Sequence, residues 1–407
     1  MKKIHLWLLV VMSIFVTTLT ANATVHEEIA IGDLKYDLDD EDHTATVTGP
    51  ANAVAPETVS IPSNVSYQGK TYAVTFIDSS AFSECKSLKS VTIPEGLESI
   101  GEWAFGYCDS LTSITIPNRV KSIPDRCFSY CLNLTSVSLP DGLASIGASA
   151  FSCCASLSSI TIPNGVKSIP YGCFAFCYDL TAISLPEGLE SMGDIALEYC
   201  ISLKSITIPN GVKSIGTNCF YYCDNLVSVS LPDELVSIGA SAFQNCESLM
   251  SITIPHGVES IENDCFRNCY NLTSISLPEG LNEIDTEAFA YCDNLNRVTV
   301  NTPVPPIITE DSFYNDNDSI IESLYVPKGS VEAYESSDWK YYFEKILEID
   351  SAEVEEIGDC PTGINYSEPY EVFTLAGARV HADFDSLSPG IYIIRQGNLT
   401  EKLSVSN

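Results

Sequence analysis

Nine prolines recur every 23 residues without a gap: Pro94, Pro117, Pro140, Pro163, Pro186, Pro209, Pro232, Pro255 and Pro278. A fixed period of this size constrains the fold more than any other feature of the chain. So small a unit buries an apolar face only by stacking on its neighbours, which makes a solenoid. One copy reads Ile116-Pro-Asn-Arg-Val-Lys-Ser-Ile-Pro-Asp-Arg-Cys-Phe-Ser-Tyr-Cys-Leu-Asn-Leu-Thr-Ser-Val-Ser138. An earlier copy starts at Ile61 and is lengthened by nine residues around Tyr67 to Val74.

Aligned on this period, the chain resolves into columns. Phe105, Phe128, Phe151, Phe174, Phe220, Phe243, Phe266 and Phe289 form one, interrupted by Leu197. Leu111 and its equivalents to Leu295 form a second, Ile or Val from position 114 a third, and Ile or Met from position 100 a fourth. Leu111 to Ile116 is β-branched and alternates apolar with hydroxyl residues, which predicts a half-buried strand. Pro-Asn-Gly, Pro-Asp-Gly or Pro-Glu-Gly then ends that strand, because proline cannot extend a ladder and Asx-Gly suits a turn. Strands at one phase of every coil stack as a parallel sheet, and ten coils at about 4.8 Å make a rod of about 50 Å. Each coil buries about seven apolar side chains, at roughly 1.5–3 kcal/mol each before entropy is subtracted.

A 46-residue period overlies the first. Ala104, Ala150, Ala242 and Ala288 precede the Phe in alternate coils, and Cys127, Cys173, Cys219 and Cys265 precede it in the others. Glu95, Asp141, Glu187, Asp233 and Glu279 alternate at the turn with Asn118, Asn164, Asn210 and His256, and Lys121, Lys167 and Lys213 fall in the Asn-type coils. Placing an acidic turn beside a basic-leaning coil limits like-charge contact, and the doubled period suggests growth by duplication of paired units.

The pattern Ile-Pro-x-Gly-Val-x-Ser-Ile-x-x-x-x-Phe-x-x-Cys-x-x-Leu-x-x-Ile-x resembles the BspA-type leucine-rich repeat of bacterial surface proteins. The resemblance spans about Ile61 to Thr299. It implies a right-handed leucine-rich-repeat solenoid with a parallel β-sheet and short turns or 3-10 segments. It departs from the general leucine-rich repeat, whose strand is followed by an Asn or Cys ladder: here Gly or Arg119 follows the strand, and the cysteine comes later, at Cys108 and its equivalents. Which face is concave is left open.

The flanks divide the rest. Met1 to Ala23 reads as a signal peptide: a basic start, an apolar run from Leu6 to Leu19 and an Ala21-Asn-Ala23 cleavage site. Residues 24–60 are expected to cap the first coil, with strands at Lys35-Tyr-Asp-Leu and Thr44-Ala-Thr-Val-Thr around the turn at Asp39 to Asp42. The repeats occupy 61–299. Residues 300–350 read as a terminal capping unit of one more strand and a short helix, and 351–361 as an acidic linker. Residues 362–407 form a small all-β module. Phe373-Thr-Leu-Ala-Gly-Ala-Arg-Val and Pro389-Gly-Ile-Tyr-Ile resemble the C-terminal sorting domain of type IX-secreted proteins of Bacteroidetes; a plain β-module without a transport role is the alternative.

The chain carries 20 Lys and Arg against 54 Asp and Glu, a formal charge of −34, which repels nucleic acid and anionic membranes. No stretch after the signal is long and apolar enough to span a bilayer. Ten of the 16 cysteines form one column from Cys85 to Cys292, and four more sit four residues earlier in alternate coils. All flank the core Phe, so they read as buried thiols; disulfides involving Cys153 or Cys360, or a zinc site, are the alternatives. Acidic turns of like type lie about 10 Å apart, too far to share a Ca²⁺. H-E-x-x-H, G-x-S-x-G and phosphate-loop motifs are missing. No catalytic residue, cofactor or metal is expected, and the chain is read as a non-enzyme.

Two exposed columns are the candidate ligand-binding residues. Thr115, Thr161, Thr207 and Thr253, alternating with Ser138, Ser184 and Ser230, make a hydroxyl ladder along the sheet. Tyr107, Tyr130, Phe176, Tyr199, Tyr222 and Tyr291 run beside the Cys column, with Tyr178, Tyr221 and Tyr270 close by. An aromatic stripe suits protein or sugar recognition; packing along the solenoid edge is the other reading. The expected function is a secreted or cell-surface binding protein, outside the outer membrane, monomeric, adhering to host-matrix or bacterial-surface proteins as the BspA resemblance implies. Glycan binding for nutrient capture and a passive surface-layer role are the alternatives.

Overall fold

A computed structural model describes residues 25–309, 311–315 and 320–349, together with the backbone strands of the C-terminal tail. The signal segment and Cys360 lie outside the described residues.

The chain begins as an antiparallel meander of β1 (Val25–Ile31), β2 (Leu34–Asp39) and β3 (Thr44–Pro50). After β4 (Thr58–Ser60), the extra residues of the lengthened first copy form a hairpin of β5 (Asn64–Tyr67) and β6 (Lys70–Ile77). Strand β6 lies parallel to β3, so the hairpin completes a cap sheet instead of bulging from a coil. Leu34, Tyr36, Leu38, Ala45, Val47, Tyr72 and Val74 point into one buried cluster, as strict alternation along β2 and β3 requires.

The repeats then stack as coils that each hold two strands. The longer row starts at β4 and β7 (Ser90–Thr92) and continues through Ser113–Thr115 and Ser136–Ser138 to Arg297–Val300. The shorter row, two residues per coil, starts at β8 (Ser99–Ile100) and runs through Ser122–Ile123 and onward to Ile307–Ile308. This second row is a structural addition to the one strand per coil read from the periodicity. Two residues are too short to show an alternating pattern, and the Ile/Met column alone marks it. Strand β6 pairs in parallel with β8, so the cap continues directly into the shorter row.

A third segment carries the Phe. Its residues two before and two after the ring are left-handed in every coil, as at Arg126 (φ 55°) and Tyr130 (φ 62°). This backbone aims alternate amides at the next coil. Arg126, Phe128 and Tyr130 donate to the carbonyls of Ala148, Ala150 and Ser152 at 2.8–2.9 Å. Between them, local bonds such as Cys131 N–H to Phe128 C=O close tight turns.

The core is columnar. Phe82, Phe105, Phe128, Phe151 and Phe174 stack with centroids 5.4–5.5 Å apart and planes within 9°. Leu197 interrupts the stack while fully buried, and it resumes from Phe220 to Phe313. There Phe313 meets Trp339 and Phe343, whose capping unit comprises the strand Ile321–Val326, the helix Val331–Glu335, a 3-10 turn Asp338–Tyr341 and the strand Phe343–Glu348. Trp339 and Tyr334 donate to the carbonyls of Pro306 and Thr302, so the polar ends of these buried rings are satisfied.

The doubled period has a structural counterpart. Along the longer row, pairing is interrupted after Ser138, Ser184 and Ser230. Within each pair the amides of Ile116, Ile162, Ile208 and Ile254 donate to the carbonyls of Ser138, Ser184, Ser230 and Ser276. Ile114, Ile160, Ile206 and Ile252 are buried, whereas Val137, Ile183 and Val229 in the intervening coils are half-buried. In the tail, Glu371–Thr374, Arg379–Val380, Gly390–Gln396 and Leu399–Val405 form a four-stranded antiparallel sheet.

Phe151→Ala removes a ring stacked on both sides and is expected to cost about 3–5 kcal/mol, lowering the thermal midpoint, while the exposed Thr161→Ala changes stability by less than about 0.5 kcal/mol. In the cap, Lys70 and then the Tyr72 hydroxyl, with His26 further out, hold Asp40 well below the usual carboxylate range. A depressed carboxylate stabilises the fold above its unfolded pKa, near 4, and that contribution is lost as pH falls through and below it. Asp40→Asn should therefore lower the thermal midpoint at pH 7, and the gap from the natural chain should close toward pH 2. A gap that persists in acid would contradict the assignment.

Candidate functional site

The two candidate columns lie on different segments of the coil. Thr115, Thr161, Thr207 and Thr253 are exposed on the longer strand row, where each third strand residue points outward opposite the buried Ile. Tyr107, Tyr130, Phe176, Tyr199, Tyr222 and Tyr291 all sit two residues past the core Phe, or past Leu197 in its place, in the left-handed position. Their amides donate to the next coil, so the backbone beneath each ring is tied down although the ring itself is partly open. A left-handed aromatic residue costs about 1–2 kcal/mol, offset here by the cross-coil bond and by ring contacts.

These rings do not form one continuous stripe. Trp103, Tyr107 and Tyr130 stack at 5.6 and 4.6 Å, and Cys153 then breaks the run. Phe176, Tyr199 and Tyr222 stack at 5.0 and 4.7 Å, with Tyr178 and Tyr221 meeting them edge-on. Asn245 and Asn268 take the next two positions, where Asn is comfortable in the left-handed region, and hydrogen-bond to each other at 2.7 Å. Tyr291 is separated from the second cluster and meets Tyr314 edge-on. The rings pack on one another along the solenoid and remain partly exposed.

The strand face contains recesses with mixed polar and apolar walls that sequence reasoning missed. A cavity of about 320 Å³ lies over Ser90, Thr92, Ser113 and Thr115, beside Glu95. It adjoins a larger one of about 630 Å³, bounded by Asp33, Tyr36, Pro56, Ser60 and Ser66 of the cap region and by the same Ser90 and Thr92. Such a recess needs the cap folded against the first coils, and no local motif signals that.

The cysteines are accounted for by the core. Fifteen described cysteines are free thiols, and all but Cys85 and Cys153 are buried. Each column thiol from Cys108 to Cys292 donates to the carbonyl of the Phe or Leu 26 residues earlier, as Cys131 does to Phe105 at 3.1 Å. That carbonyl already accepts a local amide, so the thiol uses its second lone pair. Burial pushes the thiols of the column upward, Cys292 to about 12 and the half-buried Cys85 to about 11. Among the described residues no three His, Cys, Asp or Glu side chains gather as they would around a metal ion, and no helix is long and apolar enough to cross a membrane.

Ion pairs join neighbouring coils at the turns. Arg119 reaches Glu98 at 3.1 Å, Lys167 reaches Glu190 at 3.9 Å and Lys213 reaches Glu234 at 2.8 Å. All are exposed and worth little individually.

A parallel two-strand coil with Leu, Ile and Phe columns defines the class: a leucine-rich-repeat β-solenoid. The family model for the BspA type leucine rich repeat region (6 copies) matches residues 57–180, 104–226 and 190–320, more than half of the chain. The chain belongs to that family. Among solved structures it is similar to a leucine rich cell surface protein from Faecalibacterium prausnitzii, at 26% identity over 81% of this chain and 95% of that one, with a TM-score of 0.47. It is also similar to a leucine-rich repeat protein from Bacteroides ovatus, at 27% identity over 79% and 100% of the two chains, with a TM-score of 0.44. The pneumococcal vaccine antigen PcpA aligns at 18% identity over 81% and 99%, with a TM-score of 0.49. No curated protein sequence matches the chain.

The thiol assignment predicts a pattern of labelling. In native buffer near pH 8, iodoacetamide should modify Cys153 fastest and Cys85 slowly, because a raised pKa leaves little thiolate. The thirteen buried thiols should react only in denaturant, as read by peptide mass mapping. Fast native labelling of Cys131 or Cys177 would contradict the packing.

Proposed function

We propose that this chain is a secreted or cell-surface binding protein that recognises protein partners through its second aromatic cluster and neighbouring exposed columns. The observation that carries the reading is the column of open rings on a rigid backbone. Each is fixed by a left-handed residue whose amide is bonded across the coils. Preorganised aromatic side chains supply contact area at low entropic cost, and protein interfaces are enriched in them. The formal charge of −34 favours basic partners over nucleic acid or anionic membrane. Export by the segment 1–23, and a sorting role for the tail 362–407, complete the reading. Family membership is consistent with such a role, and host-matrix or bacterial-surface proteins are the partners proposed.

Glycan capture is the second reading. It is favoured by the hydroxyl-lined recess between the cap and the first coils. Pockets of this size with convergent polar groups suit small ligands.

An array of matrix proteins, bacterial surface proteins and glycans, probed with the mature chain, separates the two. The proposal expects protein hits whose binding falls at least tenfold on Tyr199→Ser with Tyr222→Ser and is retained on Ser90→Ala with Thr115→Val. Glycan hits with the reverse dependence would replace it with the second reading. Protein binding indifferent to the tyrosines would remove the aromatic cluster from the account.

A further inference from the structure

Repetition makes the chain its own control, since equivalent positions present different side chains on one backbone. In the coil of Phe266, the residue after the core ring is Arg267. Its guanidinium lies 5.2 Å from the centre of the Tyr291 ring, bonds Asp264 at 3.2 Å and pairs with Glu287. A cation is thus seated between an aromatic face and two carboxylates. Arg126 is held in a related way over Trp103, at 5.6 Å. On this segment of the solenoid, aromatic faces are matched by arginines of the chain itself.

In the second aromatic cluster Ile195 and Asn218 stand where Asp264 and Glu287 do, the carboxylates come instead from Glu198 and Asp224, and among the described residues no arginine or lysine lies over the rings. The position of Arg267 is taken by Glu198 in the coil of Leu197 and by Tyr221 in the coil of Phe220. Tyr199 stacks between Phe176 and Tyr222, and Tyr221 stands nearly perpendicular to both Tyr199 and Tyr222, at 5.8 and 4.7 Å. Glu198 and Asp224 are half-buried beside these rings, near enough to add to the rise of the Tyr199 hydroxyl pKa behind burial and Tyr222. One carboxylate oxygen of Asp224 is enclosed and accepts no hydrogen bond. The ion pairs of these coils, Lys167 with Glu190 and Lys213 with Glu234, lie at the turns, and none among the described residues reaches Glu198 or Asp224. Desolvated carboxylates without a counter-ion beside open ring faces form an arrangement that attracts a cation on both counts.

We infer that the surface of Tyr178, Tyr199, Tyr221 and Tyr222 with Glu198 and Asp224 binds an arginine side chain presented by a protein partner. Arginine fits better than lysine, because its planar guanidinium stacks on a ring while its edge donates to carboxylates. The chain already uses arginine for this purpose at Tyr291 and Trp103. This inference rests on the protein-binding reading and names the chemistry it recognises.

The test uses the full mature chain at 0.15 M salt, where diffuse attraction to an acidic surface is screened. The probes are a short glycine-flanked peptide with two arginines and its counterpart with neutral, near-isosteric citrullines. The arginine peptide should bind at least tenfold tighter. Glu198→Gln with Asp224→Asn should lower its affinity at least tenfold, and Tyr199→Leu should do the same. Glu187→Gln with Asp233→Asn, which removes equal charge from exposed turns of the same stretch of the solenoid, should change it less than twofold. The charge variants keep side-chain size, so the test survives if Tyr199→Leu impairs folding by circular dichroism. Equal binding of the two peptides, or equal losses from the turn and site variants, overturns the inference. Protein capture on the array without any arginine preference would overturn it alone and leave the broader function standing.

Discussion

Cross-coil backbone bonding from the Phe segment is the constraint on which the remaining features depend. In each coil the residues two before and two after the ring adopt left-handed backbone, which turns three alternate amides toward the following coil. A left-handed L-residue costs about 1–2 kcal/mol, and a backbone bond returns about 0.5–1.5 kcal/mol net. Two such residues at about 2–4 kcal/mol and three bonds at about 1.5–4.5 kcal/mol nearly cancel, so the segment adds little net stability by itself. It holds because the Phe stack and the Leu and Ile columns on either side bury almost completely. Once held, it fixes the coil spacing, and that spacing stacks the rings on either side of Leu197 at 5.2–5.5 Å.

The same geometry explains the choice of cysteine beside the ring. A side chain there must be small, apolar and fully enclosed, yet it faces the Phe carbonyl of the preceding coil. Alanine would leave that carbonyl's second lone pair unused, and serine would bury a hydroxyl at a larger desolvation cost. A thiol packs as a hydrophobe and still offers a weak donor. The cysteine column from Cys108 to Cys292 is thus explained by packing, and its raised pKa follows from burial first.

Much of this architecture is legible in the residues. The 23-residue spacing, the Phe, Leu and Ile columns and the reading of the Cys column as buried packing rest on side chains that repeat, and repetition exposes their common environment. The 46-residue alternation, seen in Ala against Cys and Glu against Asn, reappears as interruptions in strand pairing after Ser138, Ser184 and Ser230. Other features leave a weaker trace. The two-residue strands such as Ser122–Ile123 are too short for a periodic signature. Residues around Tyr67 to Val74 look like an insertion because their partner, β3, is remote in sequence. An Asn ladder runs through Asn133, Asn225, Asn271 and Asn294, each amide reaching the preceding coil, but Ser or Asp alternates with it and hides the column. The aromatic stripe is visible as a column, whereas its division into clusters depends on Cys153, Asn245 and Asn268. The significance of Glu198 and Asp224 appears only when their neighbours in space are known.

Amide hydrogen exchange at the residue two past each core ring tests the central claim most directly, because these positions join a partly open side chain to a cross-coil bond. Tyr130 and Tyr222 carry partly open rings and in an ordinary turn would exchange within seconds. Bonded to Ser152 and Gln244 of the next coils, their amides should be protected to the same degree as those of Phe128 and Phe220. Rapid exchange at Tyr130 and Tyr222 alongside slow exchange at the Phe positions would mean that the left-handed ladder does not hold the coils together.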